Sequence, residues 1–359
     1  MTTFRQKRFR DIGGPVGHYP TGPLNAMTDV AGVTVGHITL IEGERTRTGA
    51  TAILPHGGNL FQDKVPAGFA VFNGFGKFAG STQISELGEL ETPIVLTNTL
   101  AVGRAIEAVN RYTLAQPGDE RVTSINAVVG ETNDGRLNDI RAARPDTAEI
   151  EAAIDSARPG PVAEGAVGAG TGTVAFGLKG GIGTSSRQIS VSGTVYTIGV
   201  LVQSNYGGHL TLAGQAYDTK ALHDKDGSIV MVVATDAPLC SRNLKRLAER
   251  CFGGLARTGA ALSNGSGDYA LAFSTAESVR LTPARRKGLM TVEYLANDVV
   301  SPLFEAVIEA TEEAILNSLT MGLPMTGYNC TTGKPSSVQA IHLDAIRRPS
   351  RPDDGLDLR

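Results

Sequence analysis

From Val33 to Gly76 the chain alternates apolar and polar positions in short runs, VTVGHITL, GATAILPHG and AGFAVFNGFG, separated by turn-rich breaks. That period of two predicts half-buried strands. IVLTNTL, residues 94–100, is more continuously apolar and reads as a buried strand; AVGRAIEAVNRYTLAQ then turns to a helical period and stops before Pro117-Gly118. NAVVGETNDG, residues 126–135, predicts a strand running into a polar loop, and Thr147 to Ala157 a second helix. Two further strands are expected over Gln188–Ser192 and Val195–Gln203. SRNLKRLAERCFGGLARTG places Leu244, Leu247 and Cys251 on one stripe with Arg and Lys opposite, a helix, and SGDYALAFST is another strand. Thr291 to Met321 carries a long helical pattern broken at Pro302. Its second half assigns Leu303, Val307, Ala310 and Ala314 to the buried face and Glu305, Glu309, Glu312 and Glu313 to solvent. The run after Pro349 reads as a tail.

Strands through the first two thirds and long helices in the last third predict an α+β layered fold. No linker divides the 359 residues and no repeat recurs, so one domain spanning 1–359 is expected. Two stacked sheets with amphipathic helices outside, an αββα sandwich, is the most economical arrangement. Forty-four glycines, well above the average usage of about 7%, are interleaved with Val, Ile, Ala and Thr. They predict tight turns and close backbone approaches rather than a flexible linker.

Net charge is −3 and the longest basic run is Arg285-Arg286-Lys287, a poor footprint for nucleic acid. Cys240, Cys251 and Cys330 show no CxxC spacing, which points away from a disulfide framework or a zinc site. No apolar signal region follows the N-terminal cations and no run of about 18 apolar residues occurs, so a cytoplasmic protein without a membrane partner is expected.

The familiar hydrolase signatures are missing: there is no G-x-S-x-G, no H-E-x-x-H, and the six histidines are scattered. GYNCTTGKP, residues 327–335, departs from a Walker A loop in spacing and in its final Pro, and no G-x-G-x-x-G opens a helix. One junction stands out. In DKDGSIVMVVATDAPL a charged turn ends at Gly227-Ser228 and an apolar β-branched run starts at once. A chain cut between Gly227 and Ser228 would give Ser228 its own base, because an α-amine of pKa about 7.7–8.0 is partly neutral at pH 7. Gly before the bond tolerates the strained conformers of an N→O acyl shift. The plainer reading is a turn followed by the first residue of a strand.

That junction, with GTGTVAFGLKGGIGTSSR, TNTLAVG, GETNDGRLNDI and GPLNAMTDVAGVTVGH, resembles the DmpA-like aminopeptidases, a family of L-aminopeptidase/D-esterase-amidases and β-peptidyl aminopeptidases. The similarity runs from about Gly22 to Gly333. The resemblance implies an αββα fold related to the Ntn-hydrolases with different connectivity, and a precursor that cuts itself between Gly227 and Ser228 into 1–227 and 228–359. It implies Ser228 as nucleophile, Ser266 and Asp268 of SNGSGD as the pair that holds and polarises its amine, and Asn205 of LVQSNYGG as oxyanion donor. Glu131 of GETNDG is implied to bind the free amine of the substrate. Some family members carry Tyr where this chain has Asn133, and Asn cannot act as an acid. No metal or organic cofactor is implied; substrates are short peptides, amides or esters, and the family's members are homo-oligomers, often tetramers. An acyltransferase of the ornithine acetyltransferase type, which uses Thr as nucleophile, and an uncleaved, non-enzymatic binding module are the alternatives.

Overall fold

The computed structural model describes residues 6–217 and 227–346; the charged turn at Asp224–Asp226 and the tail after Pro349 lie outside them. Four layers stack. One sheet holds, in spatial order, Thr34–Glu42, Thr46–Leu54, Ile94–Asn98, Val128–Thr132 and the short Phe78–Ala79. The other holds Gly181–Val191, Thr194–Asn205, Ser228–Thr235, Gly267–Ser274, Val65–Gly74 and Glu89–Leu90. Helices Val102–Leu114 and Thr147–Asp155 cover the outer face of the first sheet, and Ser241–Arg257 and Ser301–Thr320 that of the second. The αββα order predicted from the pattern is therefore the one observed.

Ser228–Thr235 runs antiparallel to Thr194–Asn205 on one side and parallel to Gly267–Ser274 on the other. Val230, Val232 and Ala234 pack between the sheets with Leu201, Leu271 and Phe273, while Ile229, Met231 and Val233 face the helices with Leu244, Leu247 and Val307. Burial on both faces explains why this strand is apolar without alternation. The glycines also have a packing role: a Cβ at Gly183 would lie 1.9 Å from the Ala314 carbonyl oxygen, and one at Gly36 would lie 2.2 Å from that of Ala153. Helices thus rest directly on the sheets where side chains are absent.

The last helix departs from its predicted form in two ways. It spans Ser301–Thr320 with Pro302 in its first turn, where a missing N–H is harmless, so the proline starts the helix instead of breaking one. Glu305 is exposed as expected, but Glu309, Glu312 and Glu313 are buried. The N-terminal segment and the Gly181–Val191 strand bring cations onto that face: Arg187, fully buried, lies 3.2 Å from Glu309 and 2.8 Å from Glu313, and Arg10 lies 2.6 Å from Glu313. Burial pushes the Glu313 carboxyl up, but hydrogen bonding and charge from Arg10 and Arg187 outweigh it and hold the group below its usual range. No helix among the described residues is long and apolar enough to cross a membrane.

Candidate active site

Ser228 opens the central strand of the second sheet, paired with Asn205 on one side and Gly267 on the other. The Gly267 N–H lies 3.2 Å from the Gly227 carbonyl oxygen and 3.4 Å from Ser228 Oγ. It thus touches both the carbonyl of the candidate scissile bond and the candidate nucleophile. Glycine at 227 has a simpler reason than strain. A Cβ there would fall 2.2 Å from the Asn205 carbonyl oxygen and 2.4 Å from Tyr206 Cα, so any side chain would push the junction off its neighbouring strand.

Asn205 is held by one end. Its Oδ1 accepts the Val174 N–H at 2.9 Å, which fixes the amide orientation and leaves Nδ2 as the end available to the cavity it borders with Gly227 and Ser228. Ser266 and Asp268 flank Gly267 and meet each other: Ser266 Oγ donates to Asp268 Oδ1 at 2.5 Å, while Asn73 Nδ2 donates to Asp268 Oδ2 at 2.9 Å. Burial pushes the Asp268 carboxyl up against these two hydrogen bonds, which pull it down. Neither Ser266 nor Asp268 is among the residues that line the cavity; they flank Gly267, the residue paired with Ser228 in the neighbouring parallel strand.

The cavity encloses about 600 Å³ and brings Ser228 and Asn205 to the same space as Glu131 and Asn133. Glu131 is buried at the end of Val128–Thr132, its Oε2 accepting from Thr99 Oγ1 and its Oε1 accepting the Lys77 N–H at 3.0 Å. Lys77 Nζ lies 3.8 Å from Oε1. Glu131 is therefore a buried, hydrogen-bonded carboxylate and not a solvated one. Asn133 is exposed, and its Oδ1 accepts the Gly135 N–H at 2.9 Å, an Asx turn that orients the loop.

One tyrosine does come near Glu131, from the Gly267–Ser274 strand: a Cβ at Gly76 would lie 3.0 Å from the Tyr269 hydroxyl and 3.1 Å from Glu131 Oε1, and one at Gly267 would lie 3.1 Å from the Tyr269 ring. Desolvation, then the charges of Glu131 and Asp268, raise the Tyr269 phenol above its usual range. Tyr269, Gly76, Thr99, Lys77 and the Gly267 N–H went unassigned from sequence. Thr99 alone had a signal, in the TNTLAVG loop. The others depend on pairing between strands distant in sequence.

Three comparisons bear on this arrangement. The model of Peptidase family S58 matches residues 25–332. The chain is 40% identical over 354 residues to beta-peptidyl aminopeptidase BapA of Sphingosinicella microcystinivorans, covering 90% of this chain and 87% of that one. Among solved structures, the Burkholderia sp. beta-aminopeptidase superposes with a TM-score of 0.85 at 39% identity, covering 95% of this chain and 97% of that one. The L-aminopeptidase D-Ala-esterase/amidase of Ochrobactrum anthropi, described as a prototype of the serine aminopeptidases and a variant of the Ntn-hydrolase fold, also reaches 0.85 at 37% identity, covering 94% and 96%.

Proposed function

This chain belongs to peptidase family S58 and is a serine aminopeptidase, and from that premise we propose that it makes its own nucleophile by cutting the Gly227–Ser228 bond. The observation that carries the reading is the position of Ser228, between the Asn205 amide and the Gly267 N–H and on the same cavity as Glu131.

In the intact chain Ser228 Oγ attacks the Gly227 carbonyl carbon, and the Gly267 N–H stabilises the charge that develops on the carbonyl oxygen. The O–C bond forms, the hydroxyl proton passes to the Ser228 nitrogen, the C–N bond breaks, and the α-amine of Ser228 is released. Water then hydrolyses the ester and leaves Gly227 as a carboxylate. The products are residues 1–227 and 228–359 within the single αββα domain.

In the mature enzyme the α-amine takes the Ser228 hydroxyl proton, so no histidine is required. Ser266 and Asp268 hold that amine. Glu131 receives the substrate's ammonium, which fixes the distance from the free amine to the bond attacked, and the Asn205 Nδ2 and Gly267 N–H receive the oxyanion. The acyl-enzyme on Ser228 is hydrolysed by water. Substrates are short peptides, amides or esters with a small N-terminal residue, β-amino acyl groups included, as the names of the relatives support. No cofactor takes part. A cytoplasmic homo-oligomer, a tetramer by family resemblance, completes the proposal.

The test is a panel of p-nitroanilides of L-Ala, D-Ala and β-Ala, each with its N-acetylated counterpart. Free-amine substrates are expected to be cleaved and acetylated ones spared. Equal turnover of both forms would remove Glu131 and the aminopeptidase reading together.

A further inference from the structure

Lys179 has no assigned role, yet it is among the largest fully buried side chains. It sits in the run AFGLKGGIG, the one cation in an apolar, glycine-rich stretch. Its ammonium donates to three backbone carbonyls, Gly170 at 2.9 Å, Thr173 at 2.9 Å and Gly180 at 2.6 Å. Burial lowers its pKa, and the buried Asp134 carboxylate acts in the opposite sense. A fully buried amine whose hydrogen bonds go to three backbone carbonyls is an expensive arrangement for a tie that a neutral side chain could make.

What those carbonyls have in common is their position. Thr173 precedes Val174, the residue whose N–H fixes the Asn205 amide. Val174 and Lys179 are cross-strand partners in a short hairpin, and Gly180 leads into Gly181, paired with Ser204 beside Asn205. Gly172, inside the same turn, would bring a Cβ to 2.1 Å from the Arg47 carbonyl oxygen, so the loop follows one narrow path. Three carbonyls converging on one buried amine lock that path from the inside.

We propose that Lys179 is a positioning residue for the oxyanion site: by gathering the Gly170, Thr173 and Gly180 carbonyls it sets the Val174 N–H, and through it the direction in which Asn205 Nδ2 meets the reacting carbonyl. The inference rests on the reading of Asn205 given above. It differs from a general structural role in acting on the transition state through one residue.

The experiment is a double-mutant cycle of Lys179→Met and Asn205→Ala, scored by kcat and KM on β-Ala p-nitroanilide and by the rate of self-cleavage. Lys179→Met is expected to lower kcat on the order of 10- to 100-fold, a part of what a whole oxyanion donor supplies, with KM within about twofold. Lys179→Gln, which can still donate to two carbonyls, should recover part of the loss. In the Asn205→Ala background the Lys179→Met effect should shrink to below about threefold. Multiplicative effects, or a loss confined to KM, would overturn the proposal. So would failure of both Lys179 variants to fold in the uncut Ser228→Ala chain, since Lys179 would then be a folding residue. If Asn205→Ala itself left kcat unchanged, the fault would lie with the active-site reading instead.

Discussion

Replacing Glu131 by Gln separates substrate binding from self-processing. The carboxylate is buried, accepts from Thr99 and the Lys77 N–H, and has Lys77 Nζ 3.8 Å away. Gln keeps the volume and an acceptor for the Lys77 N–H, and the Thr99 hydroxyl can rotate to accept from the new amide. The released Lys77 side chain is 58% exposed and returns to water, so its lost ion pair is worth at most about 1 kcal/mol. What remains is the substrate's ammonium facing a neutral amide. Loss of a charged hydrogen bond of this kind is worth about 2–3 kcal/mol, or roughly 30- to 150-fold in kcat/KM. Because the ammonium is present in both ground and transition states, the loss should fall mainly on KM. The uncut chain presents no substrate ammonium, so cleavage at Gly227–Ser228 should proceed at the wild-type rate. Steady-state kinetics on β-Ala p-nitroanilide and mass spectrometry of the purified protein read the two quantities. A change in kcat/KM below about threefold in a fully processed enzyme would refute the ammonium assignment; an uncut but folded protein would refute the separation of roles.

Two further outcomes follow from the same geometry. Asn205→Asp keeps an acceptor for the Val174 N–H but puts a negative charge where the oxyanion forms, so kcat should drop by at least about 10²–10³-fold with the fold intact; a drop below tenfold would place the oxyanion elsewhere. His37 pairs with Thr51 through Nδ1, while its Nε2 is shielded from solvent without a partner among the described residues, and desolvation lowers its pKa from 6.5 to about 4. The unfolded chain binds the proton first, so stability should fall as pH drops from about 6.5 to 4, by at most about 3 kcal/mol. Urea unfolding of the uncut Ser228→Ala chain should show a flatter pH slope over that window with His37→Gln than with His37, and parallel slopes would dismiss the group.

The layers of the fold were legible in the sequence because each strand and helix carries its own period. Val230 and Val232 against Ile229 and Met231 explain why the strand that Ser228 opens looks uniformly apolar, and Leu244, Leu247 and Cys251 form the helical stripe that covers it. The last helix was misread for a physical reason. A glutamate row looks solvated until Arg10 and Arg187, from distant segments, are folded onto it. The candidate site divides in the same way. Ser228, Asn205, Glu131, Ser266 and Asp268 stand in recognisable motifs, whereas the Gly267 N–H is set by strand register, and Tyr269 comes near Glu131, beside Gly76, only through strand packing. Lys179 did leave a trace, as a lone cation among glycines, but its three carbonyl partners are backbone atoms that no side-chain pattern announces.

The most direct test of the account is the intact mass of the purified protein beside that of Ser228→Ala. The account predicts two chains for the wild type, with the second beginning at Ser228, and a single chain of 37.5 kDa for the variant. A wild-type protein that hydrolyses β-Ala p-nitroanilide as one uncut chain of 37.5 kDa would contradict it.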